Sequence, residues 1–259
     1  MTTRAFDRYP GLQSTWTLRQ SADLTALSSS LLTVAGCANL FTLRPHNMGR
    51  LAERDQARFA AGLGVEACRF VRMQQVHGAE IACVDADGSG GRLEGVDGMI
   101  VDRPGWVGLA LSADCPLIAV TAPGLGAFGL AHAGWRGTVA GIAGDLIDAM
   151  VKRTGCRTQE LVAAIAPSAG PCCYEVGPEV VRQAGDTLAD HEQLFVRSGQ
   201  AVCFDLRTAS IAQLLAAGLK PERIDLARPC TICDRRFHSY RRDGATAGRS
   251  ALLVAIKSD

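Results

Sequence analysis

The sequence contains no apolar run long enough to span a bilayer, no basic run longer than the Arg241, Arg242 pair, and no repeat or low-complexity linker. The first absence argues against a spanning helix. The second matters because 27 Lys plus Arg stand against 26 Asp plus Glu, a formal charge of +1 spread along the chain. Electrostatics of that kind give little support to a nucleic-acid or membrane-surface partner. The opening MTTRAFDRYPGLQSTW carries charges and a proline where a secretory leader needs continuous apolar residues, so a cytoplasmic protein is expected. Regular cysteine spacing is also missing: the ten cysteines are scattered, which points to reduced thiols rather than a disulfide framework.

What is present is a chain of 259 residues with 47% hydrophobic content, enough to bury a large core, and one domain over residues 1–259 is the expectation. β-branched apolar runs bounded by Gly, Pro and Asp alternate with helical patterns, which predicts an α/β or α+β fold with mixed sheets. Residues 50–61 read as an amphipathic helix stopping at Gly62 and Gly64, and CRFVRMQQVHG reads as a strand ending at His77 and Gly78. GLALSAD, PLIAVTAP and AFGLAHAG read as neighbouring buried strands, placing Asp114, Cys115 and His132 at strand ends. After the Gly134–Gly137 turn, Val139, Ile142, Leu146, Ile147 and Met150 recur at helical spacing up to about residue 153. A strand at 161–166, helices at 178–184 and 208–216, and a strand at 251–256 complete the expected map.

Polar, metal-capable side chains inside otherwise apolar segments are the anomaly, because a buried imidazole or thiolate needs a compensating partner. MQQVHG, SADCP and AHAGWRG each show it. His77, Cys115 and His132 are two imidazoles and a thiolate, donors suited to zinc, and three protein ligands leave a fourth position open as catalytic zinc sites require. Copper is a second candidate, since Cu(II) outcompetes zinc for most such ligands.

MQQVHG, DGMIV, ADCPLIAV, HAGWRGTVAGI, APSAGPCCYEVG and CTICDRRFHSYRRDGATAGR together resemble the family of laccase-domain polyphenol oxidases, also called the multicopper-polyphenol-oxidase-like or peptidoglycan-editing-factor family. The resemblance runs from about Ala38 to the C-terminus. It implies a layered α/β/β/α sandwich similar to a cysteine hydrolase fold, and zinc ligands at His77, Cys115 and His132. It also implies a purine nucleoside phosphorylase acting on adenosine, inosine and methylthioadenosine, with adenosine deaminase activity in some members. A purine nucleoside and phosphate would then be the small-molecule partners. Catalytic roles are expected for Cys115 and Asp114. Arg44 and Arg136 are candidate phosphate binders because a guanidinium holds phosphate in a bidentate way, and Tyr240 and Arg242 are candidates for the pocket wall. The chain departs from the family in TLRPHNMGR, which lacks the usual glycine-rich stretch, and His46 in that loop is expected to be exposed.

Other readings compete. A multicopper oxidase needs many clustered imidazoles, and there are five histidines in total. Cys115 could instead be a nucleophile with His132 or His77 as its base, giving an amide hydrolase that edits a peptidoglycan precursor. A structural zinc clip would need a fourth protein ligand, for which Asp114 or a second cysteine is available. Cys230 and Cys233 form a C-x-x-C pair with no second such pair, and with Cys172 and Cys173 they are expected to line the interior or the cleft rather than to act in redox chemistry.

Overall fold

Strand Leu117–Ala122 is buried at every position because it is covered on both faces. Its odd residues Leu117 and Ala119 join a core between two sheets, while Ile118 and Val120 face a layer of helices. This period of two is the pleat of a strand serving two cores at once. In the computed structural model, which describes residues 4–20, 23–50, 53–65, 69–84 and 91–256, a seven-stranded sheet runs in the order Trp16–Gln20, Thr25–Ser29, Cys37–Thr42, Ser250–Ile256, Trp106–Ser112, Arg69–Met73, Arg92–Leu93. A six-stranded sheet packs against it in the order Ile224–Leu226, Val162–Ile165, Leu117–Ala122, Ala127–His132, Gly98–Val101, Ile81–Cys83. Both sheets are mixed: Arg69–Met73 is parallel to its two neighbours, and so are the outermost pairs of the second sheet, while the remaining pairs are antiparallel.

Phe41, Leu252 and Val254 from the first sheet meet Phe128, Leu130 and Met99 from the second, each such buried side chain contributing about 1.5–3 kcal/mol. Helix Glu53–Leu63 covers the outer face of the first sheet through Phe59 and Leu63. Helices Ile142–Thr154 and Leu206–Ala216 cover the second through Leu146, Ile147, Met150, Ile211 and Leu214. The layers are therefore helix, sheet, sheet, helix, as the resemblance implies.

Several local expectations are corrected. The strand leading to His77 ends at Met73, and its first expected residue, Cys68, lies outside the described residues. The three apolar runs are not neighbours in one sheet: Trp106–Ser112 belongs to the first sheet and the other two to the second, so residues 113–116 cross between layers. The helix expected after Gly137 is two helices, Trp135–Ala140 and Ile142–Thr154, broken at Gly141, whose φ of 98° is a left-handed conformation open to glycine. Helix Glu53–Leu63 continues through Gly62; Leu51 and Ala52, expected in its first turn, lie outside the described residues. Strands Phe195–Ser198 and Ala201–Phe204 form a separate hairpin that periodicity did not reveal.

Candidate metal centre and active-site cavity

The crossing between the sheets is short, and its geometry aims Cys115. Ser112 Oγ donates to the Cys115 carbonyl at 2.7 Å, and the Ala133 amide donates to the Pro116 carbonyl at 2.9 Å. These bonds hold the crossing beside the end of strand Ala127–His132. Asp114 takes a φ of 108°, a conformation costing an ordinary residue about 1–3 kcal/mol unless its surroundings enforce it. The enforcement is visible: the buried Asp114 carboxylate accepts from Thr231 Oγ1 at 2.7 Å, Ser239 Oγ at 3.0 Å and the Arg241 amide at 2.8 Å. Asp114 thus ties the crossing to the C-terminal motif.

His77 also has a positive φ, 62°, and one buried carboxylate holds it. Asp97, 0% exposed, accepts the amides of Val76 and Gly78 on Oδ2 at 3.0 and 2.7 Å, and that of His77 on Oδ1 at 3.1 Å. The same Oδ1 lies 2.7 Å from His132 Nδ1. A carboxylate so placed holds a proton on His132 Nδ1, which makes Nε2 the nitrogen available to a metal ion. Burial alone would raise the Asp97 carboxyl, but His132 and the Gly78 and Val76 amides hold it below the usual carboxylate range. Asp97 is missing from the residues expected from sequence.

The ligand atoms of His77, Cys115 and His132 lie within 4.8 Å of one another, and the two imidazole rings meet edge to face with centroids 4.8 Å apart. Burial raises the Cys115 thiol, yet the charge of His132 and hydrogen bonds from both imidazoles bring it down to about 6. Burial lowers His132, but Cys115 and Asp97 carry it up to about 9. The three side chains close over Gly134, where an added Cβ would sit 3.0 Å from His77 Cδ2, 3.4 Å from Cys115 Sγ and 3.6 Å from His132 Cε1. A donor set of two imidazoles and one ionisable thiol, arranged over a backbone position with no side chain, fits a borderline divalent cation. His46, His191 and His238 lie outside the cluster, which does not match a multicopper centre.

The centre opens into a cavity of about 490 Å³ lined by Met73, Gln75, Leu111, Ser112, Ala113, Asp114, Trp135, Arg136, Tyr174, Tyr240, Arg241 and Arg249 besides the three cluster residues. Gln75 is pinned in the wall by exchanging hydrogen bonds with the Leu111 backbone, at 2.7 and 2.8 Å. Arg136 lies 4.3 Å over the Trp135 ring, and Arg241 lies 4.4 Å over Tyr174 while donating to the Glu175 carbonyl. Arg249 is oriented by the carbonyls of Ala247 and Gly248, both at 3.0 Å.

Of the two expected phosphate binders Arg136 lines the cavity and Arg44 does not, and of the two expected wall residues Tyr240 lines it and Arg242 does not. Arg44 faces Asp243 at 3.6 Å. Arg242 donates to the carbonyls of Thr231, Ile232 and Phe237 and to Asp243, which folds the C-terminal motif upon itself. Arg241 and Arg249 are the arginines sequence reading passed over, although both stand in the RRDGATAGR run. His46 is not an exposed loop residue: it packs edge-on against Phe59 and accepts the Thr25 amide at 3.2 Å.

Fold and site together define a layered α/β protein with a candidate metal centre at the floor of a cationic cavity. The family model described as multi-copper polyphenol oxidoreductase laccase matches residues 44–257, and the chain belongs to that family of enzymes. It is 36% identical to purine nucleoside phosphorylase YlmD of Geobacillus stearothermophilus, over 79% of this chain and 78% of that protein. It is 34% identical to adenosine deaminase RL5 from an unknown prokaryotic organism, over 74% of this chain and 76% of that protein. The crystal structure of YlmD from G. stearothermophilus superposes with a TM-score of 0.84 at 32% identity, covering 93% of this chain and 99% of that one. Among the described residues no helix is long and apolar enough to cross a membrane.

Proposed function

We propose that the protein is a purine nucleoside phosphorylase that uses one zinc ion held by His77, Cys115 and His132, with adenosine, inosine and methylthioadenosine as substrates and deamination of adenosine as a companion activity. The observation that carries this reading is the convergence of those three ligands at the floor of a cavity lined by Arg136, Arg241 and Arg249. The names of the relatives support the same reaction. In phosphorolysis an oxygen of hydrogen phosphate forms a bond to C1′ of the sugar as the bond from C1′ to the base nitrogen breaks, and the phosphate's proton ends on the base, giving the sugar 1-phosphate and free base. When bound, a zinc ion supplies Lewis acidity toward the charge that develops on the reacting groups.

The chain's own residues account for the rest. The arginines hold the phosphate dianion by charge-assisted hydrogen bonds, and the Tyr240 ring supplies an aromatic face for the purine at the cavity wall. Asp97 orients His132 and the His77 loop. Asp114, with three donors on its carboxylate, acts as a positioning residue for Cys115. A volume of about 490 Å³ lies within the range of small-molecule sites, roughly 300–1,000 Å³.

Incubation of metal-assayed protein with inosine and phosphate tests the proposal: hypoxanthine and ribose 1-phosphate are expected from the wild type and not from His77→Ala. Absence of both products from metal-loaded wild type overturns it. A second reading draws on the line Asp97, His132, Cys115, which has the order of an acid–base–nucleophile triad and suits an amide hydrolase. That reading predicts full activity on an amide-linked peptidoglycan precursor after chelation, and its loss on alkylation of Cys115. Oxygen uptake with phenols by a copper-loaded but not a zinc-loaded preparation would favour the oxidase instead.

A further inference from the structure

One wall of the cavity rests on a second group of sulfurs. Cys172 and Cys173 lie in the turn after Gly170, and Cys230 and Cys233 lie in the turn that follows strand Ile224–Leu226. The turns are joined by a parallel bridge between Ser168 and Cys230, with the Thr231 amide donating to the Ser168 carbonyl at 3.1 Å. All four Sγ atoms lie within 4.8 Å of one another. Cys233 is shared between neighbours, 3.2 Å from Cys173 and 3.6 Å from Cys172. Disulfides would pair the sulfurs off at about 2.05 Å. A tetrahedron with sulfurs about 2.3 Å from a central zinc has edges of about 3.8 Å, so this spacing suits one ion shared by four thiolates.

Two further features favour negative charge at this cluster, at Cys230 above all. The Cys230 sulfur accepts the Gly170 amide at 3.2 Å. Such a donor gains most from a thiolate, a far better acceptor than a thiol. Beneath the cluster lies Arg207, 1% exposed, whose guanidinium donates, among the described residues, to neutral oxygens: Ser168 Oγ, and the carbonyls of Ser168, Arg228 and Pro229. A buried cation needs compensating charge nearby. The acidic groups acting on it are Asp205, Cys230, Cys172 and Cys233, and a zinc tetrathiolate carries a net charge of two minus.

We propose that Cys172, Cys173, Cys230 and Cys233 form a second metal site, a closed tetrathiolate centre for zinc that clamps the two turns together. With four protein ligands it has no open position, so its role is structural. Its position couples it to the active site: Tyr174 in the cavity wall follows Cys173 directly, and Thr231, which donates to Asp114, follows Cys230.

The test is metal content and coordination rather than turnover. Protein made in zinc-supplemented medium and kept reduced should hold two zinc ions per chain, with a mean of about 2.5 sulfur ligands per zinc by X-ray absorption. A His77→Ala/His132→Ala variant should retain one zinc, and after cobalt exchange should show the sulfur-to-cobalt charge-transfer bands and intense d–d bands of a tetrahedral tetrathiolate. Cys230→Ser/Cys233→Ser should lose that zinc and keep the other; should this variant fail to fold, the cobalt spectrum of the histidine variant still decides. A folded histidine variant that binds no metal, wild-type zinc with no all-sulfur shell, disulfides mapped among the four cysteines in protein kept under reductant, or iron in the four-cysteine site would each overturn the assignment.

Discussion

Asp97 Oδ1 lies 2.7 Å from His132 Nδ1 and also accepts the amide of His77, so a single buried carboxylate orients one candidate metal ligand through its ring and another through its backbone. Asp97→Asn keeps the volume and removes the charge. Outer partners of this kind are worth about 10–100-fold in metal affinity. Chelator competition should therefore show a loss in that range with the far-ultraviolet circular dichroism unchanged; an unaltered affinity would mean that the carboxylate does not govern the ligand geometry.

Gly134 sits where a methyl group would press on His77 and touch Cys115 and His132, while its backbone, φ −60° and ψ 166°, suits any residue. Gly134→Ala should leave the melting temperature nearly unchanged and weaken metal binding by about tenfold, measured by calorimetric titration of the metal-free protein. A fall in stability with full affinity would assign the glycine to folding rather than to the site.

The arginines divide by position. Arg249 lines the cavity, whereas Arg44 faces Asp243 outside it. A hydrogen bond to a charged group is worth about 1.5–3 kcal/mol, so Arg249→Gln should raise the KM for phosphate by about tenfold or more. Arg44→Gln should leave it within about twofold. Steady-state phosphorolysis at varied phosphate measures both, and the reverse ranking would place the phosphate elsewhere.

His46 and His238 give stability a dependence on acid. His238 Nε2 donates to the His46 carbonyl at 2.9 Å, and His46 accepts the Thr25 amide. Burial holds both imidazoles below their ordinary value, with Arg58 acting in the same sense on His46 and Arg44 and Arg242 on His238, while the carbonyl bond and Asp243 oppose it at His238. The unfolded chain therefore binds more protons once the pH falls below about 6.5. Stability from these groups is intact above that value and declines below it until the folded-state values are passed. Urea midpoints measured from about pH 7.5 to about pH 5.5 should fall less steeply in His46→Gln/His238→Gln than in the wild type, and parallel slopes would remove these residues from the account.

The buried strands were legible because alternation and unbroken apolar runs report how many faces a strand covers, as in Leu117–Ala122. The three candidate ligands were legible as residue types that do not belong in such runs. The left-handed backbone at His77 and Asp114 was not, since it is imposed by Asp97 in one case and by Thr231, Ser239 and Arg241 in the other. Asp97 itself left a signal that went unused: an acid opening the apolar strand Gly98–Val101 requires a buried partner. The TICD pair, without a second C-x-x-C, pointed to no site because its companions Cys172 and Cys173 lie about sixty positions away.

Apolar runs and their periodicity by themselves determined a mixed α/β fold and marked His77, Cys115 and His132 as metal-capable side chains at the ends of apolar segments, because burial and side-chain chemistry are properties of single residues and their near neighbours. The layered order and the joining of the three into one candidate ligand set came from the family resemblance of the motifs. Which carboxylate orients those ligands, which arginines reach the cavity, and the meeting of four cysteines were decided only when the crossing at residues 113–116 and the C-terminal turns were brought against one another. Those relationships are distances between segments far apart along the chain, and no local pattern of residues encodes them.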